Sequence, residues 1–87
     1  MRVISQDGKT DYPYENSVVY VVGNEIFISC NGEDNMIATY DTGEKAKKVM
    51  ERLRLDYTKF YVTEREKVYF AFDFPKIFQF PADSEVK

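Results

Sequence analysis

The strongest pattern of apolar and polar positions in the chain lies between residues 41 and 57. Ala46, Val49, Met50, Leu53 and Tyr57 recur at spacings of three, one, three and four, and nearly every position between them is charged. That rhythm sets the five on one stripe of a helix, with Leu55 off the stripe. The residues around them (Ala, Lys, Glu, Arg, Leu) are good helix formers, and no proline interrupts them. The pattern predicts a single α-helix at about 42–57. Asp41 is the expected N-cap, with Glu44 three residues later completing a capping box.

Before the helix the period changes to that of strands. Arg2 to Ser5 and Thr10 to Tyr14 are short strand candidates around an Asp7-Gly8 turn, with Pro13 suited to an edge. Val18 to Val22 is β-branched and aromatic, Gly23-Asn24 is a two-residue turn, and Ile26 to Cys30 is the returning strand. Asn31-Gly32 marks the next turn, and Met36 to Tyr40 is a third strand that runs into the helix. After it, Phe60 to Thr63 and Lys67 to Phe74 read as a hairpin about the charged turn Glu64-Arg65-Glu66. Phe70, Phe72 and Phe74 share one face of that hairpin, and the expectation is that they pack against Val49, Met50, Leu53 and Tyr57. Ile77 to Phe80 is a short last strand between two prolines, and residues 82–87 read as a loose tail. The fold class is therefore α+β: an antiparallel β-meander packed against a single α-helix, with a C-terminal β-hairpin and a short last strand. At 87 residues the chain is expected to be one domain.

Charge divides the chain unevenly. Residues 1–43 hold two basic and seven acidic groups, net −5, whereas residues 44–59 hold six basic and three acidic groups, net +3. Lys45, Lys48 and Arg52 share one helical stripe and are the candidate anion-binding residues; a solvated helix face is the plainer reading. Aromatic residues make up 16% of the chain, and eight of them fall between Phe60 and Phe80. Tyr61 and Tyr69, with Arg65 beside them, are the candidate partner-binding residues, because exposed tyrosine and arginine anchor protein interfaces. The apolar surplus also makes a homodimer a natural expectation, including one in which residues 60–80 pair with another copy.

The chemistry available is narrow. There is no histidine, so Ser-His-Asp and Cys-His sites are excluded. One cysteine, Cys30, cannot make an internal disulfide and is too few for a zinc site, so no metal or other cofactor is expected. The four glycines are scattered at turns or at the cap and form no phosphate loop. Asp7, Asp11 and Glu15 are the remaining carboxylates to consider, and nothing in their spacing separates them from a solvated edge. No apolar run approaches the roughly 20 residues of a membrane span. A cytoplasmic, non-enzymatic protein is the expectation.

Three stretches carry a resemblance. ISQDGKTDYPYE (4–15), IATYDTGEKAKKVMERLR (37–54) and IFQFPADSEV (77–86) resemble a family of small uncharacterised proteins encoded by phages and integrated mobile elements of Gram-positive bacteria. The three blocks cover roughly half the chain in the same order. The resemblance brings no catalytic or binding residues; it implies a host-cytoplasmic protein of mobile-element origin. Two functions are then expected, in this order. The first is a non-enzymatic protein-interaction module of a phage or mobile element that modulates a host or phage protein. The second is a nucleic-acid-associated accessory protein using the basic face of the helix.

Overall fold

The computed structural model describes residues 1–66 and 77–87, and the side chains of 1–57 and 77–87. Among the described residues, two three-stranded sheets and one α-helix make the fold. β1 (Arg2–Ile4), β2 (Asp11–Pro13) and β6 (Ile77–Gln79) form the first sheet, in the order β2-β1-β6. β3 (Ser17–Val22), β4 (Glu25–Cys30) and β5 (Glu33–Thr39) form the second, an antiparallel meander in the order β3-β4-β5. Helix α1 (Gly43–Glu66) follows the meander directly. This is the expected α+β arrangement, with the meander packed against the helix.

The helix stripe behaves as its period requires. Ala46, Val49, Met50 and Leu53 are buried together with Ile26, Ile28, Ile37 and Ala38 of the meander. Val3, Phe78 and Phe80 bring the first sheet into the same core. Tyr57, the last residue of the stripe, is half-buried and lies against the Tyr14 ring with centroids 4.8 Å apart.

β1 is the centre of its sheet. It pairs antiparallel with β2, as the Asp7-Gly8 turn predicts, and parallel with β6 through Val3 opposite Phe78. Pro13 ends β2 on the sheet's edge, where a missing amide donor breaks no ladder. The parallel pair brings residues more than seventy positions apart into register, with the meander and helix as the crossover.

The meander contains one irregularity with structural consequences. Phe27 faces Met36 but Ile26 faces Ala38, so Ile37 is an extra residue on β5. Such a bulge turns two neighbouring side chains inward, and Ile37 and Ala38 are both buried. It also redirects the Ile37 carbonyl, which accepts from the Gln6 amide at 2.8 Å. The Gln6 side chain continues the link. Its Nε2 donates to Thr39 O at 3.0 Å and to Pro81 O at 3.1 Å, and its Oε1 accepts from Thr39 N at 3.1 Å. One glutamine thus joins the first sheet, the meander and the C-terminal segment.

Three expectations are corrected. The N-cap is Thr42, not Asp41: the helix starts at Gly43, and Thr42 Oγ1 accepts from the Lys45 amide at 3.2 Å. Asp41 is held one residue outside by its own amide, which donates to Asp83 Oδ1 at 2.8 Å. Next, residues 60–63 are helical, not a strand. Propensity is a weak prior against propagation, and no glycine or proline stands between Gly43 and Pro75 to stop a helix once formed. The first arm of the expected hairpin is therefore part of α1. Its second arm, with Phe70, Phe72 and Phe74, lies outside the described residues. Lastly, residues 82–87 are not loose. Val86 is buried in the core, a 3-10 turn covers Asp83–Glu85, and the Glu85 carboxylate accepts from the Ala82 amide at 2.9 Å.

Two substitutions test these contacts. Thr42→Ala should lower stability by ~1 kcal/mol, the usual value of a threonine cap. Gln6→Ala should cost about 2 kcal/mol, since three hydrogen bonds are lost but water can replace part of them. Gln6→Glu should be worse than Gln6→Ala at neutral pH, because a carboxylate would face the Thr39 and Pro81 carbonyls. That repulsion raises the introduced carboxyl's folded pKa, so the deficit should shrink as pH falls and the group protonates. Denaturant titrations at pH 7 and pH 4 read both effects.

Candidate functional site

Lys45, Lys48 and Arg52 sit one above another on α1, as their spacing requires, and the first two already have partners within the chain. Lys45 Nζ lies 3.2 Å from Asp41 Oδ1 and 3.3 Å from Asp83 Oδ2. Lys48 Nζ donates to the Lys87 main-chain oxygen at 2.6 Å. The stripe holds the chain's own C-terminal segment. The electrostatics agree: the Asp41 carboxylate, and then that of Asp83, hold the Lys45 ammonium above its ordinary pKa. The Asp41 amide, and then Lys45, hold the Asp83 carboxyl below its own. Arg52 lies on the wall of an open cleft of about 600 Å³ shared with Gln6, Gln79, Pro81 and Glu85.

Tyr40 reaches the same C-terminal segment from the end of the meander. It is 3% exposed, and its hydroxyl donates to Pro81 O at 2.8 Å. Burial pushes the phenol up to about 12; Arg52 pulls the other way, and Asp83 and Glu85 add to the rise.

The other acidic candidates have structural employment. Asp7 Oδ1 accepts from the Ser5 hydroxyl at 2.5 Å and from the Lys9 amide at 3.0 Å, which together lower its pKa and lock the β1–β2 turn. Asp11 pairs with Arg2 at 2.8 Å, and Glu15 with the Met1 amino group at 2.6 Å. Among the described residues no three Cys, Asp or Glu side chains converge as metal ligands. Among them, too, no helix is long and apolar enough to cross a membrane. Tyr61 and Arg65 fall on the last turns of α1, where only the backbone is described, and Tyr69 lies outside the described residues.

A surface that the sequence reading did not single out lies on the far side of the meander. Strand pairing assembles it in three rows. Val22, Glu25 and Thr39 make the first, Tyr20, Phe27 and Met36 the second, and Val18, Ser29 and Asp34 the third. These alternate with Val19, Val21, Ile26 and Ile28, which face the core. Val18, Val22 and Met36 are 63%, 57% and 50% exposed. At their centre Tyr20 and Phe27 stack with centroids 5.5 Å apart and planes 14° from parallel. Loss of water around the Tyr20 hydroxyl, and then the Asp34 carboxylate, raise its pKa. The signal for this face was present in Val18-Val19-Tyr20-Val21-Val22, which lacks the polar alternation of a strand buried on one side only.

No family model, curated protein or solved structure matches the chain. The two regions must therefore be judged by their geometry. In the helix stripe Lys45 is paired with carboxylates and Lys48 with the Lys87 main chain. The meander face has an apolar centre, with polar and acidic residues at both ends, and is uncovered by the described residues.

The Tyr40 environment makes a pH-dependent prediction. An ordinary tyrosine ionises near 10, and Tyr40 resists until about 12 in the folded state. Its neutral form therefore supports the fold below pH 10, and that support is lost as pH rises toward 12. Tyr40→Phe should lose ~1 kcal/mol at neutral pH for the missing hydrogen bond. Between pH 10 and 12 the wild type should lose about 2 kcal/mol more than the variant. Denaturation midpoints measured across that window give the difference directly.

Proposed function

We propose that this chain is a non-enzymatic protein-interaction module, encoded by a phage or integrated mobile element, that acts by binding a host or phage protein. The observation that carries the reading is the outer face of β3, β4 and β5. Val18, Val22 and Met36 stand exposed around the stacked Tyr20–Phe27 pair. Contiguous exposed apolar surface on a folded chain is commonly a contact surface, and aromatic residues at its centre suit an interface core. The absence of histidine and the structural roles of Asp7, Asp11 and Glu15 support a binding role over a catalytic one. Mobile-element origin rests on the three sequence blocks 4–15, 37–54 and 77–86. The cytoplasm of a Gram-positive host is then its place of action. The nucleic-acid reading is the weaker, because Lys45 and Lys48 are already engaged by Asp41, Asp83 and the Lys87 main chain.

The test uses Val22→Ser with Met36→Ser, two exposed changes that leave the core untouched. Affinity capture from a Gram-positive lysate should recover a defined protein with the wild type and lose it with the double variant, at an unchanged denaturation midpoint. Equal recovery by both, or no specific recovery by the folded wild type, overturns the reading.

A further inference from the structure

We infer that the outer face of the meander receives an apolar segment of another protein flanked by lysine or arginine, and not a second copy of this chain. This rests on the reading of that face as a docking surface and adds the chemistry of its occupant. The decisive feature is the charge around the apolar rows. Glu25 lies in the row with Val22, and Asp34 lies in the row with Val18, both on the outer side. No lysine or arginine occurs anywhere in residues 17–40. The first sheet offsets this little, since its Lys9 sits in the β1–β2 turn beside the Asp7 carboxylate. Arg2, one of two basic residues before the helix, is already paired with Asp11 at 2.8 Å, and residues 1–43 carry two basic against seven acidic groups.

Within residues 17–40 the face therefore combines apolar contact with charge of one sign only. A segment with positive flanks gains from both, in encounter and in register. Two copies placed face to face would bring their Glu25 and Asp34 carboxylates together on strands that, over residues 17–40, supply no cation to offset them. The stacked Tyr20–Phe27 pair suits the same occupant, since an arginine can lie over an aromatic face with Asp34 nearby. Three rows at strand spacing span about 14 Å along the strands and about 10 Å across, room for a short peptide segment.

A displayed library of random peptides, panned at low salt on the full-length chain and on Val22→Ser/Met36→Ser, tests the inference. Peptides retained only by the wild type should carry apolar residues flanked by Lys or Arg. A synthetic copy of an enriched peptide should bind Glu25→Gln/Asp34→Asn on the order of tenfold more weakly, with less salt dependence. Those two near-isosteric changes leave the apolar rows intact, so they decide the point even if the serine variant is poorly folded. Wild-type-specific peptides without basic enrichment overturn the charge inference and leave the docking reading standing. A library with no wild-type-specific peptide overturns both. Sedimentation velocity showing a dimer that Val22→Ser/Met36→Ser abolishes makes the occupant a second copy and overturns the inference.

Discussion

The architecture depends on how the backbone groups around Gln6 and Pro81 are satisfied. The bulge at Ile37 takes one carbonyl out of the β4–β5 ladder, and the Gln6 amide accepts the task of pairing it. The Gln6 side chain then pairs both ways with Thr39, as a neighbouring strand would. Pro81 O receives both Gln6 Nε2 and the Tyr40 hydroxyl, so both of its lone pairs are used. Unpaired polar groups in such a partly buried junction would each cost on the order of 1–3 kcal/mol. The two sheets have separate ladders, and this junction is what holds the hydrogen-bonded backbone of one against the other.

The charged helix face belongs to the same closure. Ion pairs at a surface are individually worth little, so Lys45 and Lys48 alone would not fix a terminal segment. They act on a segment that also buries Phe78, Phe80 and Val86, with the two phenylalanine rings edge to face at 5.3 Å. Apolar burial supplies the driving force, and the cations choose the path of the chain over the helix. A net-positive stretch in an acidic protein reads at first as a site for an outside anion. Here the nearest anions are intramolecular, and Asp83 meets two donors at once, the Asp41 amide and the Lys45 ammonium.

Elements with a short-range period were legible in the sequence. The helix stripe and the β3–β4 turn at Gly23-Asn24 need only local spacing to be recognised, and Gly23 takes the positive φ of 62° expected of a turn glycine. What failed or stayed open depended on distant partners. Asp41 and Thr42 are both competent caps, and the choice between them is tied to Asp83, 42 residues away from Asp41. The parallel β1–β6 pair has no local signature, because nothing in three residues of β6 names its neighbour. Residues 60–63 are β-prone by type, yet they follow an established helix with no breaker between. For the site, residue type alone misled: Lys45, Lys48 and Arg52 were correctly placed on one face, but the contacts of Lys45 with Asp83 and of Lys48 with the Lys87 main chain are tertiary facts. The meander face was legible in principle, since the unbroken apolar run 18–22 must expose every second residue if only one side meets the helix.

That last point bears on why the face exists. Ile26, Ile28, Val19 and Val21 supply what the core needs from β3 and β4, and all lie on the inner side. Val18, Val22 and Met36 contribute nothing to that packing, and threonine would serve the strand as well at each position without exposing so much apolar surface. An exposed apolar sheet face invites self-association, and charged residues on it are a standard defence. Glu25 and Asp34 fill that role at opposite ends of the rows. A defence of one sign only, with no cation in residues 17–40, does more than exclude copies of itself. It repels every acidic neighbour and leaves the face open to a basic one. On the proposed reading, the same two carboxylates that oppose self-association also favour a basic partner.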